Sequence, residues 1–299
     1  MDHASAHPVH ALSDEQLRAL MMRVDDAGFP ATLADVWRAE RVRFRQTLRR
    51  IPPADRATAA LLDLGSSRAW VPFYRELLGY HEIVLNTAYP ESGLVDERLP
   101  IDGADARGVR MSVFDVERDE FPLEDESFDV VLCLEVLEHL AVDPMAMMGE
   151  VNRVLRPGGT FVLTTPNAVR WSNVANSLLG DQPCGWNPYN GFDTNRHNRE
   201  YTPTEVERLF RAAGFTPAEV TTFGCKSRGP LRNVLAGILR WSLAPLPPCR
   251  PSRRTDVILA FGAKSSTRVE RRPSWLYFDM AERKNADERS SKAPTLVSV

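Results

Sequence analysis

The chain lacks several features that would each have decided its class. It holds only 4 cysteines in 299 residues. Cys133, Cys184, Cys225 and Cys249 stand far apart and form no Cys-x-x-Cys pair. That spacing argues against a disulfide framework or a structural zinc site, and it fits a reducing, cytoplasmic setting. No apolar run approaches the roughly 18 residues a membrane span needs. The opening residues, MDHASAHPVHALSDE, contain no apolar core of a secretion signal. Positive charge is not in excess either. The 37 Lys and Arg face 40 Asp and Glu, a formal net charge of -3, so no global field recruits nucleic acid. What is present, 43% hydrophobic and 26% charged residues, is the make-up of a globular protein with one large domain or one domain with appendages.

Residues 1–52 read as a tail and a helical cover. Positions 1–12, with His3, His7 and His10, look like a loose tail. Ser13 and Gln16 form a capping-box pattern ahead of Leu17, Leu20, Met21 and Val24 at helical spacing, and Gly28 and Pro30 stop that helix. A second helix is predicted over 33–49, carrying Val36, Trp37 and Phe44, before Pro52 and Pro53. Over 53–264 short apolar runs alternate with helical stretches, the pattern of a parallel sheet with helices on both faces. Strands are expected at 59–64, 82–85, 109–114, 128–134, 160–164, 215–222 and 257–261. A helix stops near Gly79. Asp143 and Pro144 cap the start of another, which Pro157, Gly158 and Gly159 end. Thr202, Pro203 and Glu205 open a third that ends at Gly214. Residues 166–200, rich in Asn, Gly, Pro and aromatics, read as an inserted substrate loop. The apolar stretch 231–248, LRNVLAGILRWSLAPLPP, is expected to pack on its own sheet, with peripheral membrane contact as the alternative. Residues 265–299 read as a partly disordered tail with SWLYF (274–278) as an anchor.

The stretch from Phe121 to Asn167 reads FPLEDESFDVVLCLEVLEHL, AVDPMAMMGEVNRVLRPGG, TFVLTTPN. It is a strand, a helix, a turn and a strand, with acids and a histidine where one strand ends. Open α/β sheets bind ligands at such carboxyl ends. Upstream lie LLDLGSS at 61–67, VLNTAYP around Asn86, and Asp115-Val116 after the third strand. Over residues 58–223 this pattern resembles the class I methyltransferases that depend on S-adenosylmethionine (SAM). The resemblance implies a Rossmann-like, seven-stranded, mostly parallel sheet. It also implies SAM as cofactor, with Asp63, Gly65 and Ser66 around the methionine moiety, although Ser67 and Ala69 replace later glycines. By the same resemblance, Asn86 meets the ribose where an acid is usual, Asp115 and Val116 flank the adenine, and Glu135 completes the cofactor site. The pattern is most similar to bacterial methyltransferases of polysaccharide or glycolipid pathways, which share an RHNREYT-like string, here at 196–202.

Methyl transfer to a hydroxyl needs an aligned acceptor and a route for its proton. His197 or His139 could act as the general base. Alternatively Glu135, Glu138, His139 and His197 could hold one divalent cation such as Mg or Mn. Glu-x-x-Glu-His with a distant His resembles the metal site of small-RNA 2′-O-methyltransferases and of ubiquinone-biosynthesis O-methyltransferases. The bland reading is that these residues shape the cofactor pocket or cap a helix. Trp171, Trp186, Tyr189 and Phe192 could stack on a sugar or form the loop's own core. Arg196, Arg199 and Tyr201 could hold an anionic acceptor or make surface pairs. The expected reaction is O-methylation of a small-molecule or glycan acceptor. RNA 2′-O-methylation, a quinone-type acceptor and a non-catalytic SAM-fold partner protein are the alternatives. The basic RPSRR at 250–254 is too short to indicate nucleic acid.

Overall fold

The computed structural model describes residues 7–23, 33–66, 68–88, 109–184, 196–225, 230–243, 245–246 and 251–277. Their apolar runs form one seven-stranded sheet. The strands are β1 (Ala60–Leu64), β2 (Glu82–Thr87), β3 (Val109–Val113), β4 (Phe128–Leu134), β5 (Leu155–Pro166), β6 (Phe215–Phe223) and β7 (Val257–Lys264). Their spatial order is β3-β2-β1-β4-β5-β7-β6. The first five pair in parallel, and β7 runs antiparallel to both β5 and β6. The order reverses between β1 and β4, so a crevice opens at their carboxyl ends.

Alternation along β4 shows why both faces need helices. Val130, Leu132 and Leu134 pack into one cluster, with Leu17 and Met21 of α1 (Asp14–Met21) and Trp37, Phe44 and Leu48 of α2 (Leu33–Leu48). Val131 and Cys133 pack into the other. There they meet Met147 and Val151 of α3 (Pro144–Val154) and Val206, Leu209 and Phe210 of α5 (Pro203–Ala212). Between α3 and α5 lies α4 (Trp171–Leu178), and α6 (Pro230–Leu243) and α7 (Pro251–Arg254) fall between β6 and β7. The predicted caps are formed. Ser13 and Gln16 make a reciprocal box on α1, Thr202 and Glu205 make one on α5, and the Asp143 side chain accepts from the Met145 and Ala146 amides.

Several expectations are corrected. Residues 7–12 are not a loose tail. Pro8–Ala11 form a 3-10 turn, Val9 is fully buried, and His7 Nε2 lies 2.8 Å from the Ile51 carbonyl. The helix after β1 is instead a 3-10 turn (Arg68–Trp70) and a single π-turn (Phe73–Leu77), packed tightly by Trp70, Phe73 and Tyr74. Pro157-Gly158-Gly159 does not precede β5 but bulges within it. Leu155 pairs with Phe128, pairing resumes at Thr160 with Val130, and Gly158 takes φ 77°. The inserted loop contains α4, and α6 packs against α4 rather than lying flat on the sheet. At the tail, Trp275, Leu276 and Tyr277 do anchor on the core. Val24, Gly28, Pro30 and Phe278 lie outside the described residues.

Candidate functional site

A cleft of about 490 Å³ opens at the carboxyl ends of β1, β2, β3 and β4. It is lined by Gly65, Ser66, Asn86, Asp115, Val116 and Glu135, six of the seven residues the cofactor reading named, together with His139. Gly65 ends β1 with φ 60°, and a Cβ there would lie 2.6 Å from Val136 Cγ2. Only glycine lets this turn pass so close to the loop after β4.

The seventh residue, Asp63, does not reach the cleft. It is buried and accepts from the Tyr74 hydroxyl (2.8 Å) and the Ser66 hydroxyl (2.9 Å). Burial pushes its pKa up to about 7, against the pull of those two hydrogen bonds and the charge of Arg43. Asn86 is also committed internally. Its Oδ1 accepts from the Gly65 amide at 3.2 Å, and its Nδ2 donates to the Phe114 carbonyl at 3.0 Å. These bonds clamp three strand ends while Asn86 still lines the cleft. A carboxylate could accept from Gly65 but could not donate to Phe114, which explains an amide at this position. Asp115 folds its carboxylate onto the Glu117 amide at 2.9 Å. Glu117 in turn takes the amides of Ala141, Val142 and Asp143, tying the wall at Asp115 and Val116 to the loop after β4.

The second wall is built differently. Glu135 leaves β4 in the left-handed region at φ 59°, and its Oε1 is buried without a hydrogen-bond partner. A non-glycine residue there carries strain. One turn on, Glu138 is buried and its Oε2 accepts from the Thr165 hydroxyl at 2.9 Å, while Oε1 has no hydrogen bond. Burial, then the neighbouring Glu135, holds the Glu138 carboxyl well above the usual range. Two imidazoles face the bare oxygen, with His139 Nε2 at 3.9 Å and His197 Nε2 at 4.0 Å. The rings meet edge to face with centroids 5.1 Å apart.

Residues 58 positions apart in the chain meet because the loop around His197 is stitched to the loop after β4. The Asn198 and Arg199 amides donate to the Glu138 carbonyl, and Asn198 Nδ2 donates to the His139 carbonyl at 2.7 Å. His139 Nδ1 lies 3.0 Å from the Arg196 carbonyl, and His197 Nδ1 lies 3.3 Å from Glu200 Oε1. Both partners can only accept, so each ring carries its proton on Nδ1 and turns the Nε2 lone pair toward Glu138. Burial, and the neighbouring His197, lower the His139 pKa. Burial alone would raise Glu200, but the His197 hydrogen bond, Arg170 and Asn173 bring it to about 2. Glu138, His139 and His197 can thus offer three ligand atoms within 4.8 Å of one another. Glu135 is not in that group and lines the cleft instead, so the expected four-ligand set becomes three.

Other expectations also change. Trp171 is buried under the Arg254 guanidinium, 5.4 Å from its ring centroid, and offers no platform for a sugar. Arg199 stacks on buried Tyr201 and pairs with Glu205 at 2.7 Å, the surface pairing that was the alternative reading. Trp186, Tyr189 and Phe192 lie outside the described residues. Asp129 has a structural place, accepting from the Ala60 amide and pairing with Arg56 and Arg156. Sequence reasoning missed Glu117, Glu200 and Arg43. Glu200 was signalled by its i+3 spacing from His197. Arg43 on α2 is raised in pKa because the carboxylates of Glu135 and Glu40 outweigh the cost of its burial.

A family model described as a methyltransferase domain matches residues 36–220. A protein of Mycolicibacterium smegmatis named as a probable S-adenosylmethionine-dependent methyltransferase is 33% identical over 134 residues, 45% of this chain and 46% of that protein. A ubiquinone biosynthesis O-methyltransferase of Idiomarina loihiensis is 40% identical over 91 residues, 29% of this chain and 34% of that protein. The match thus spans less than half the length of either relative. Among solved structures, a chain from the Haloferax volcanii complex of the Trm112 methyltransferase activator with a methyltransferase shares the fold. It aligns at a TM-score of 0.51 and 19% identity, covering 85% of this chain and 100% of that one.

Proposed function

The chain belongs to the methyltransferase-domain family, and from that premise we propose that it moves a methyl group from SAM to a hydroxyl oxygen of a small-molecule or glycan acceptor. The observation that carries the proposal is the meeting of cleft and cluster. The crevice lined by Gly65, Asn86, Asp115 and Val116 also contains His139, whose Nε2 faces Glu138 and His197. Its volume suits a drug-sized ligand. SAM, when bound there, supplies the electrophilic methyl carbon. The residues that would hold and orient it are those of the Gly65-Ser66 turn together with Asp115 and Val116.

The acceptor hydroxyl must lose its proton as the new bond forms. His139 is suited to take it. Its lowered pKa keeps the ring neutral at pH 7, and the Arg196 carbonyl fixes the tautomer that leaves Nε2 basic. His197, oriented by Glu200, is the second candidate. The same three residues also fit a divalent cation, because Glu138 Oε1 is a buried acceptor with no donor and both Nε2 atoms converge on it. Mg²⁺ or Mn²⁺ at that point would act as a Lewis acid on the acceptor oxygens and lower a hydroxyl pKa.

Within this proposal, residues 53–264 are the catalytic unit and residues 1–52 its cover. A carbohydrate or glycolipid hydroxyl is the acceptor we favour. A catechol-like quinone precursor is the second reading, supported by the ubiquinone-pathway relative. Calorimetry with SAM and with S-adenosylhomocysteine tests the first step: binding is expected, and no binding to either would overturn the enzyme reading in favour of a non-catalytic partner protein. Transfer of labelled methyl groups to a panel of sugars, catechols and short RNA separates the acceptors. Methylation of RNA alone would overturn the proposed class.

A further inference from the structure

The antiparallel neighbours β6 and β7 would ordinarily be joined by a turn of a few residues. Here residues 224–256 intervene, and they lie beyond the span 36–220 that the family model matches. Helix α6 within this connection presents Val234, Ile238 and Trp241 to solvent at 60%, 56% and 83% exposure. Their i, i+4, i+7 spacing puts them on one face. Leu178, at the end of the adjoining α4, adds to the exposed apolar surface. A monomer rarely leaves such a stripe in water without a use for it.

Charge identifies the occupant. Positions 226–255 contain seven Lys and Arg and no Asp or Glu, in a chain whose net charge is -3. Arg253 and Arg254 are held by the body, near Glu207 and over Trp171, while Arg240 is exposed beside Trp241. An apolar stripe with an exposed tryptophan, in a segment of purely positive charge, has the chemistry of a helix lying in an anionic lipid headgroup layer. Among the described residues no helix is long and apolar enough to cross a membrane, so contact would be peripheral.

We propose that α6 docks the protein on anionic bilayers through Val234, Ile238 and Trp241, with the basic residues of the connection supplying the electrostatic attraction. The placement also bears on the site. Arg170, just ahead of α4, and Asn173 within it both bind Glu200, which orients His197. Helix α6 packs on α4, so the docking helix is linked through α4 and Glu200 to the loop that carries His197.

Co-sedimentation of the full chain with vesicles tests the docking independently of methyl transfer. Vesicles of phosphatidylcholine alone are compared with an equal mixture of phosphatidylcholine and phosphatidylglycerol. Binding to the mixture is expected to exceed binding to the neutral vesicles by about tenfold and to fall with added salt. Ile238→Ser with Trp241→Ser, both at exposed positions, lowers it by about tenfold or more, and Arg240→Glu lowers it less. Circular dichroism and SAM binding of these variants should match wild type. The proposal is overturned by equal sedimentation of variant and wild type or by no binding to the mixture. It is equally overturned by a dimer in sedimentation velocity that the double variant dissolves without any vesicle binding.

Discussion

The two walls of the cleft treat their polar groups in opposite ways. On the β1–β3 side each side-chain amide or carboxylate described is used by the chain itself. Asn86 bridges Gly65 and Phe114, Asp115 caps Glu117, and Glu117 takes three amides. On the β4 side Glu135 and Glu138 each keep a buried oxygen without a hydrogen bond, and two imidazoles converge on the second. An unsatisfied buried acceptor costs about 1–3 kcal/mol. The first wall is therefore a rigid mould that presents backbone to a ligand. The second stores unfavourable electrostatics that a cation or a proton relieves. Position on the sheet explains the contrast: the first wall must hold three strand ends in register, whereas the second has only to hold a short loop against residues 196–200.

The largest test of this contrast is Glu138→Gln. It preserves shape but replaces the carboxyl on which His139 and His197 converge with an amide, a poorer cation ligand. Under the proposal, metal content measured by plasma mass spectrometry falls, and kcat/KM drops by about 10²–10⁴-fold. Unchanged metal and a loss below about tenfold would make the second wall as structural as the first.

Asp63→Asn comes next, because it removes charge from beneath the mould. Asp63 titrates at about 7 in the fold and near 3.9 in an unfolded chain, so the native state binds the proton more tightly. Its contribution to stability is complete below about pH 4 and is lost as pH rises through about 7. Wild type should therefore lose stability relative to the variant by up to about 1.4 kcal/mol per pH unit across that window, read from urea midpoints. A constant difference would mean that Asp63 is charged throughout.

Gly65→Ala combines a left-handed φ with the close approach of Val136 and should cost about 2–3 kcal/mol. Adding Val136→Ala should recover the clash but not the backbone strain, so partial rescue in thermal unfolding is expected. Asn86→Asp is the smallest, at about 1–2 kcal/mol, because one donor is lost and one acceptor kept. Should Asn86→Asp instead strengthen SAM binding at unchanged stability, the side chain would be a ligand group and not a clamp.

How much of this was legible differs element by element. β4 was readable to the residue, 128–134, because a strand buried on both faces must be a continuous apolar run. The two capping boxes were readable because their donors and acceptors lie three residues apart. Helix α4 was hidden by its asparagines. WSNVANSL has the composition of a loop, yet Asn173 and Asn176 point inward and are hydrogen-bonded there. Asn86 was visible as a residue but not as a clamp, since sequence does not reveal which end of an amide is taken. His197 could be joined to Glu138 and His139 only through family resemblance. The separation of Glu135 from them depends on one positive φ that no pattern announces.

The position of β7 has a consequence for how the molecule is made. Among the described residues β6 bonds to β7 and to no other strand, and β7 links it to β5. When the ribosome has delivered everything through residue 223, five strands can already be paired, but β6 has no neighbour. It must wait while the 33 residues from 224 to 256 are synthesised, α6 among them, before its partner emerges. Once α6 has been made, an open strand edge and a helix with an apolar face stand on the nascent chain together.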